Sequence, residues 1–165
     1  MFGRFRLLLV SVTAAGALAT ASGIAVAAPA VSLHLSGALV ERAADGATHD
    51  VPLTGSERVS PGQTLRYTIV AVNKGNEPAR ALAPVGRIPA GTAYVAASTP
   101  AAPAHLEFSL DGSTFAERPM ITVQTPSGPV RRAADPSTYV AVRWSGVKML
   151  APGASTAFNY TVRVR

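Results

Sequence analysis

Ten residues of strand formers, Thr64 to Asn73, stand between two turn signals. Pro61-Gly62 comes before them: Pro presets φ for a tight turn, and Gly accepts a positive φ. Lys74-Gly75-Asn76 and Pro78 come after and close the strand. Leu65, Tyr67, Ile69 and Ala71 fall on one face, while Val70 and Val72 make the other face partly apolar too. A strand apolar on both faces belongs inside a sheet rather than at its edge. No segment beyond residue 28 shows a sustained helical period, so the packing partners of this strand are other strands.

Short alternating segments supply them. Val31, Leu33 and Leu35 alternate with Ser32, His34 and Ser36, giving a first strand from Val31 to Val40. Ala44-Asp45-Gly46-Ala47 is a turn, and Val51-Pro52-Leu53 is an edge piece because Pro cannot donate to a ladder. Ala79 to Ile88 is one irregular strand broken by Pro84, and Ala93 to Ala97 is a short one. Leu106, Phe108 and Leu110 alternate up to the Asp111-Gly112 hairpin signal, after which Phe115 folds back onto them. Met120 to Val123 is a strand; Arg131 to Ser137, polar and Pro-containing, is a loop. Tyr139 to Trp144 turns Val140, Val142 and Trp144 inward. In the last strand Phe158, Tyr160, Val162 and Val164 face in, while Asn159, Thr161, Arg163 and Arg165 face out. Short strands at this spacing, about 8–12 residues, predict an all-β antiparallel sandwich of about seven to nine strands.

Three motifs in order carry a family resemblance. Pro61-Gly62, Tyr67-Thr68-Ile69 and Asn73-Lys74-Gly75-Asn76 form the first, and Ile88-Pro89-Ala90-Gly91-Thr92 with Tyr94-Val95 and Ser98 the second. Leu150-Ala151-Pro152-Gly153-Ala154-Ser155, leading into the last strand, is the third. From Val59 to Arg165 the chain resembles the bacterial conserved-repeat Ig-like domain family, a domain of unknown function (number eleven). It departs from the family where Val85, Gly86 and Arg87 stand in place of an Asp before the Leu-Pro pair. The resemblance implies an Ig-like sandwich and a structural or adhesive surface module.

Arg4 and Arg6, an uncharged run from Leu7 to about Ile24, and Ala25-Val26-Ala27 have the order of a secretory signal peptide. Residues 1–27 are therefore expected to be removed, leaving one domain, 28–165; the alternative is an uncleaved membrane anchor, since the run is about long enough to span. The expected compartment is the cell surface, the periplasm or the medium, with no membrane span after cleavage. There is no Cys, hence no disulfide framework and no thiol chemistry. Losing Arg4 and Arg6 lowers the formal charge from +6 to +4. The basic residues are scattered except for Arg131-Arg132, which is not the clustered basic and aromatic face of a nucleic-acid reader.

No constellation points to an enzyme, a metal or another cofactor. His34, His49 and His105 lie far apart, without the close spacing of zinc ligands. Asp45, Asp50 and Asp111 sit in turns and lack the series of oxygen donors that calcium needs. There is no Gly-x-Ser-x-Gly elbow, and no pair of Glu residues stands out; Glu107 is expected to face solvent. Function is therefore expected in surfaces. The first strand (Val31, Leu33, Leu35) and the last (Asn159, Thr161, Arg163) are candidate edges for self-association or for an envelope protein partner. Tyr94 and Tyr139, if exposed together, are candidates for stacking a polysaccharide.

Overall fold

The computed structural model describes residues 29–55, 57–98 and 104–165. The expected signal peptide lies outside them. The described residues form ten strands: β1 (Val31–Arg42), β2 (Thr48–Pro52), β3 (Thr64–Asn73), β4 (Val85–Arg87), β5 (Thr92–Ser98), β6 (His105–Ser109), β7 (Met120–Thr125), β8 (Gly128–Ala133), β9 (Ala141–Ser145) and β10 (Ser155–Val164). A single 3-10 turn, Pro136–Thr138, is the only helical element among the described residues. The expected all-β antiparallel sandwich is present, with one strand more than the seven to nine expected.

One sheet runs β2-β1-β3-β10-β5 and a second runs β4-β9-β6; β7 and β8 form a separate hairpin. β3 is the centre of the five-stranded sheet, as its two apolar faces predicted. Its inward residues Leu65, Ile69 and Ala71 are buried with Phe158, Tyr160 and Val162 of β10. Val142 and Trp144 of β9, both fully buried, face them from the second sheet. Trp144 meets Phe158 and Tyr160 at ring-centroid distances of 5.3 and 6.3 Å. Aromatic pairs at such spacing add to the area they bury.

Tyr160 links the layers directly. Its ring stacks on Tyr67 at 5.2 Å, and its hydroxyl donates a 2.7 Å hydrogen bond to the carbonyl of Arg87 on β4. Gly86 lies over the ring: a methyl group built there would stand 2.5 Å from Tyr160 Cε1 and 2.9 Å from Cδ1. Glycine inside a strand commonly marks such a close approach. At one end of the sandwich, fully buried Asn73 ties four segments together. Its Nδ2 donates to the carbonyls of Glu77 (2.8 Å) and Leu150 (3.0 Å), and its Oδ1 accepts from the N–H groups of Gly75 and Ala30.

Several expectations need correction. Arg131 to Ala133 belong to β8, paired with β7 from Met120↔Ala133 to Thr125↔Gly128, and are not loop. Val140 precedes β9 and is 40% exposed rather than inward. Ala79 to Ile88 divides into an isolated bridge, Ala79↔Leu150, and the three residues of β4. Glu107 is half-buried, not solvent-facing, because Arg143 holds its carboxylate at 2.8 Å. Phe115 does fold back, lying under the Arg143 guanidinium at 4.3 Å beside the Phe108↔Ala116 bridge.

Gly86→Ala should destabilise the purified protein by about 1–3 kcal/mol in urea unfolding, the usual cost of forcing an atom into a packed layer. Tyr160→Phe, which keeps the ring and removes the bond to Arg87, should cost about 1 kcal/mol. Equal, negligible losses in both would contradict the contact.

Candidate functional site

The two sheets differ in width, and the difference makes a cleft. The five-stranded sheet extends past β4, which is the edge of the three-stranded one. Leu33 and Leu35 of β1 pair with Ala71 and Ile69 of β3 in register and point to the same inner side. Nothing among the described residues covers them: Leu33 is 54% exposed and Leu35 63%. A cleft of about 370 Å³ results. Leu33, Leu35, Tyr67, Ile69 and Tyr160 form its floor, and Val85, Gly86, Arg87 and Pro89 its wall. A smaller extension continues past Val31 to Leu82, Ala83 and Pro84.

Two backbone edges flank the cleft. In β1, the Ala30 carbonyl accepts from Lys74 on the β3 side, and the Gly37 carbonyl accepts from Leu53 on the opposite side. Alternation therefore aims the N–H and C=O groups of Val31, Leu33 and Leu35 away from β3. β2 pairs only with Ala38 to Arg42, so among the described residues no strand meets that outward set. In β4, Ile88 N–H donates to Val140 and the Pro84 carbonyl accepts from Trp144, both toward β9. The same alternation aims the backbone groups of Val85 and Arg87 into the cleft, where Tyr160 already reaches the Arg87 carbonyl.

The charges around the cleft are of one sign. Arg87 lines it, and exposed Arg80 stands two residues before Leu82. Neither side chain has an ion pair among the described residues. Eight of the nine acidic residues are engaged elsewhere. Glu41, Asp50, Glu107 and Glu117 contact His49, Arg66, Arg143 and His105. Asp45, Glu57, Asp111 and Asp135 accept from backbone N–H groups of their own turns. The Thr54 hydroxyl and N–H lower Glu57 to about 2. The Thr114 and Ser113 N–H groups hold Asp111 well below the usual carboxylate range. Only Glu77, exposed on the turn after β3, makes no such side-chain contact.

The sequence-derived candidates fall in different places. Val31, Leu33 and Leu35 lie on the open half of β1, beside the cleft. Asn159, Thr161 and Arg163 do not lie on an edge: β10 pairs with β3 on one side and β5 on the other, and the Asn159 side chain accepts from the Thr68 hydroxyl at 2.7 Å. Tyr94 and Tyr139 do not form an exposed platform. They pack around Phe108, with centroids 5.0 and 4.7 Å from it, and Tyr139 is only 8% exposed. Val85, Gly86 and Arg87 were missed as site residues. The sequence signal there was Gly86 inside a strand-like segment, which can mark a close approach. Among the described residues, no group of three or more His, Cys, Asp or Glu gathers as metal ligands, and no helix is long and apolar enough to cross a membrane. Comparisons with protein-family models, curated proteins and solved structures return no match to this chain.

Burial, and then neighbouring Tyr67, push the Tyr160 hydroxyl up to about 12, from an ordinary value of 10. The folded state favours the neutral phenol, so this contribution is complete below pH 10 and is lost as pH rises from 10 towards 12. Burial also raises Tyr67, Tyr94 and Tyr139, which gives the same sign. Stability by urea unfolding should therefore fall across that alkaline window, less steeply in Tyr160→Phe. An unchanged slope in the variant would contradict a buried, neutral hydroxyl.

Proposed function

We propose that the protein is a non-catalytic, exported module of the cell envelope that acts by strand-edge contact with a protein. The observation that carries this reading is the cleft beside β4. Two open backbone edges, β1 and β4, border an apolar floor that the chain's own second sheet leaves bare. Strand addition uses those features together: main-chain bonds give affinity, and alternate side chains fill the apolar surface. Edges of this kind are usually blunted by Lys, Pro or a bulge, and Val31 to Ser36 contains none of the blunting residues. Export rests on the order of features in residues 1–27, and the adhesive role on the three family-like motifs. A polysaccharide module built on Tyr94 and Tyr139 has less support, because both rings are spent on packing around Phe108.

Fractionation of producing cells, followed by sizing chromatography of the gently released protein, tests this reading. Wild type is expected in envelope-bound assemblies, and Leu35→Lys is expected to run as a free monomer with an unchanged melting curve. Wild type found as a free monomer in every fraction would overturn it, as would assemblies untouched by Leu35→Lys.

A further inference from the structure

The cleft lies where a further strand beside β4 would stand, over an apolar floor. Packed sheets lie about 10 Å apart, so a strand added beside β4 in the second sheet would lie over Leu33 and Leu35. Val85 offers it an outward N–H and C=O and Arg87 an outward N–H, while the Arg87 carbonyl already accepts from Tyr160. Side chains on one face of such a strand would meet Leu33, Leu35 and Tyr67. Those on its other face would share the outer surface with the exposed Val85 and Arg87 side chains.

We propose that the occupant is an extended segment of another protein, apolar on its inward face and carrying a carboxylate on its outward face beside Arg87. This rests on the strand-edge reading above and adds the chemistry of the partner. Charge decides between a foreign strand and a second copy. The Arg87 and Arg80 side chains have no ion pair among the described residues, and eight acidic side chains of this chain make contacts of their own. A second copy therefore brings a net positive charge, and those eight carboxylates are bonded within its own turns and pairs. A foreign segment with an acidic outward residue removes the repulsion and pairs Arg87. Exposed pairs of this kind contribute modestly, so the apolar floor supplies affinity and Arg87 supplies choice.

The test uses purified protein and two fluorescein-labelled peptides, Thr-Val-Glu-Val-Thr-Val-Thr and the same sequence with Lys in place of Glu. Anisotropy titration at low salt should show the Glu peptide binding about fivefold tighter than the Lys peptide. Arg87→Glu should reverse the order. Leu35→Lys should abolish binding of both without changing the fold, since Leu35 is 63% exposed and outside the core. Equal binding of both peptides, lost in Leu35→Lys, would overturn the carboxylate assignment while leaving the strand-edge reading standing. No binding of either peptide would overturn the proposed occupant. So would a wild-type dimer in sedimentation that Leu35→Lys dissociates, which would assign the cleft to a second copy. In both cases the assemblies of the fractionation experiment decide the strand-edge reading separately.

Discussion

The ring of Tyr160 beneath Gly86 sets the spacing of the sandwich. Tyr160 sits on β10, in the middle of the wide sheet, and its hydroxyl reaches the Arg87 carbonyl on the narrow one. Only a residue without Cβ fits over the ring at that distance. The contact fixes where β4 lies, and β4 is where the second sheet stops. The core and the cleft therefore share a cause. Behind Tyr160, towards Trp144 and Phe158, the layers are filled; on its other side, the floor formed by Leu33 and Leu35 is bare.

The polar parts follow the same division. Asn73 satisfies its amide inside the sandwich with four backbone partners, so the turn after β3, the start of β1 and the Leu150 segment are held to one another. Among the described residues, no buried side-chain nitrogen or oxygen lacks a hydrogen-bond partner. The acidic residues are used in turns and pairs on the periphery, and the cations near the cleft are left over.

Strands with a neighbour on each side in the sheet were the most legible part of the chain. β3 and β10 announce themselves because period-2 burial writes directly into sequence: Leu65, Ile69, Ala71 and Phe158, Tyr160, Val162 all belong to the core. β8 was not legible, since Pro129, Arg131 and Arg132 stay exposed and the strand exists through its ladder with β7 alone. Being last in sequence suggested an edge for β10, but chain order does not fix sheet order, and β10 pairs with β3 on one side and β5 on the other. Tyr94 and Tyr139 come from distant segments, so their meeting at Phe108 is a tertiary fact that neither segment carries. The first strand was expected to be an edge over its whole length, but β2 pairs with Ala38 to Arg42, so only the stretch with Val31, Leu33 and Leu35 is left without a second neighbour among the described residues. The cleft was not foreseen, because it arises from the unequal widths of two sheets rather than from any local pattern.

Amide hydrogen exchange, resolved residue by residue by NMR on the purified protein, bears most directly on this arrangement. Exchange reports which backbone groups are bonded in the native state. Ile88, Val142 and Trp144 N–H groups should be strongly protected, and those of Val85, Arg87, Leu33 and Leu35 should exchange quickly. Protection of Val85 and Arg87 in the free protein would show their edge already paired and would contradict an open wall beside a bare floor.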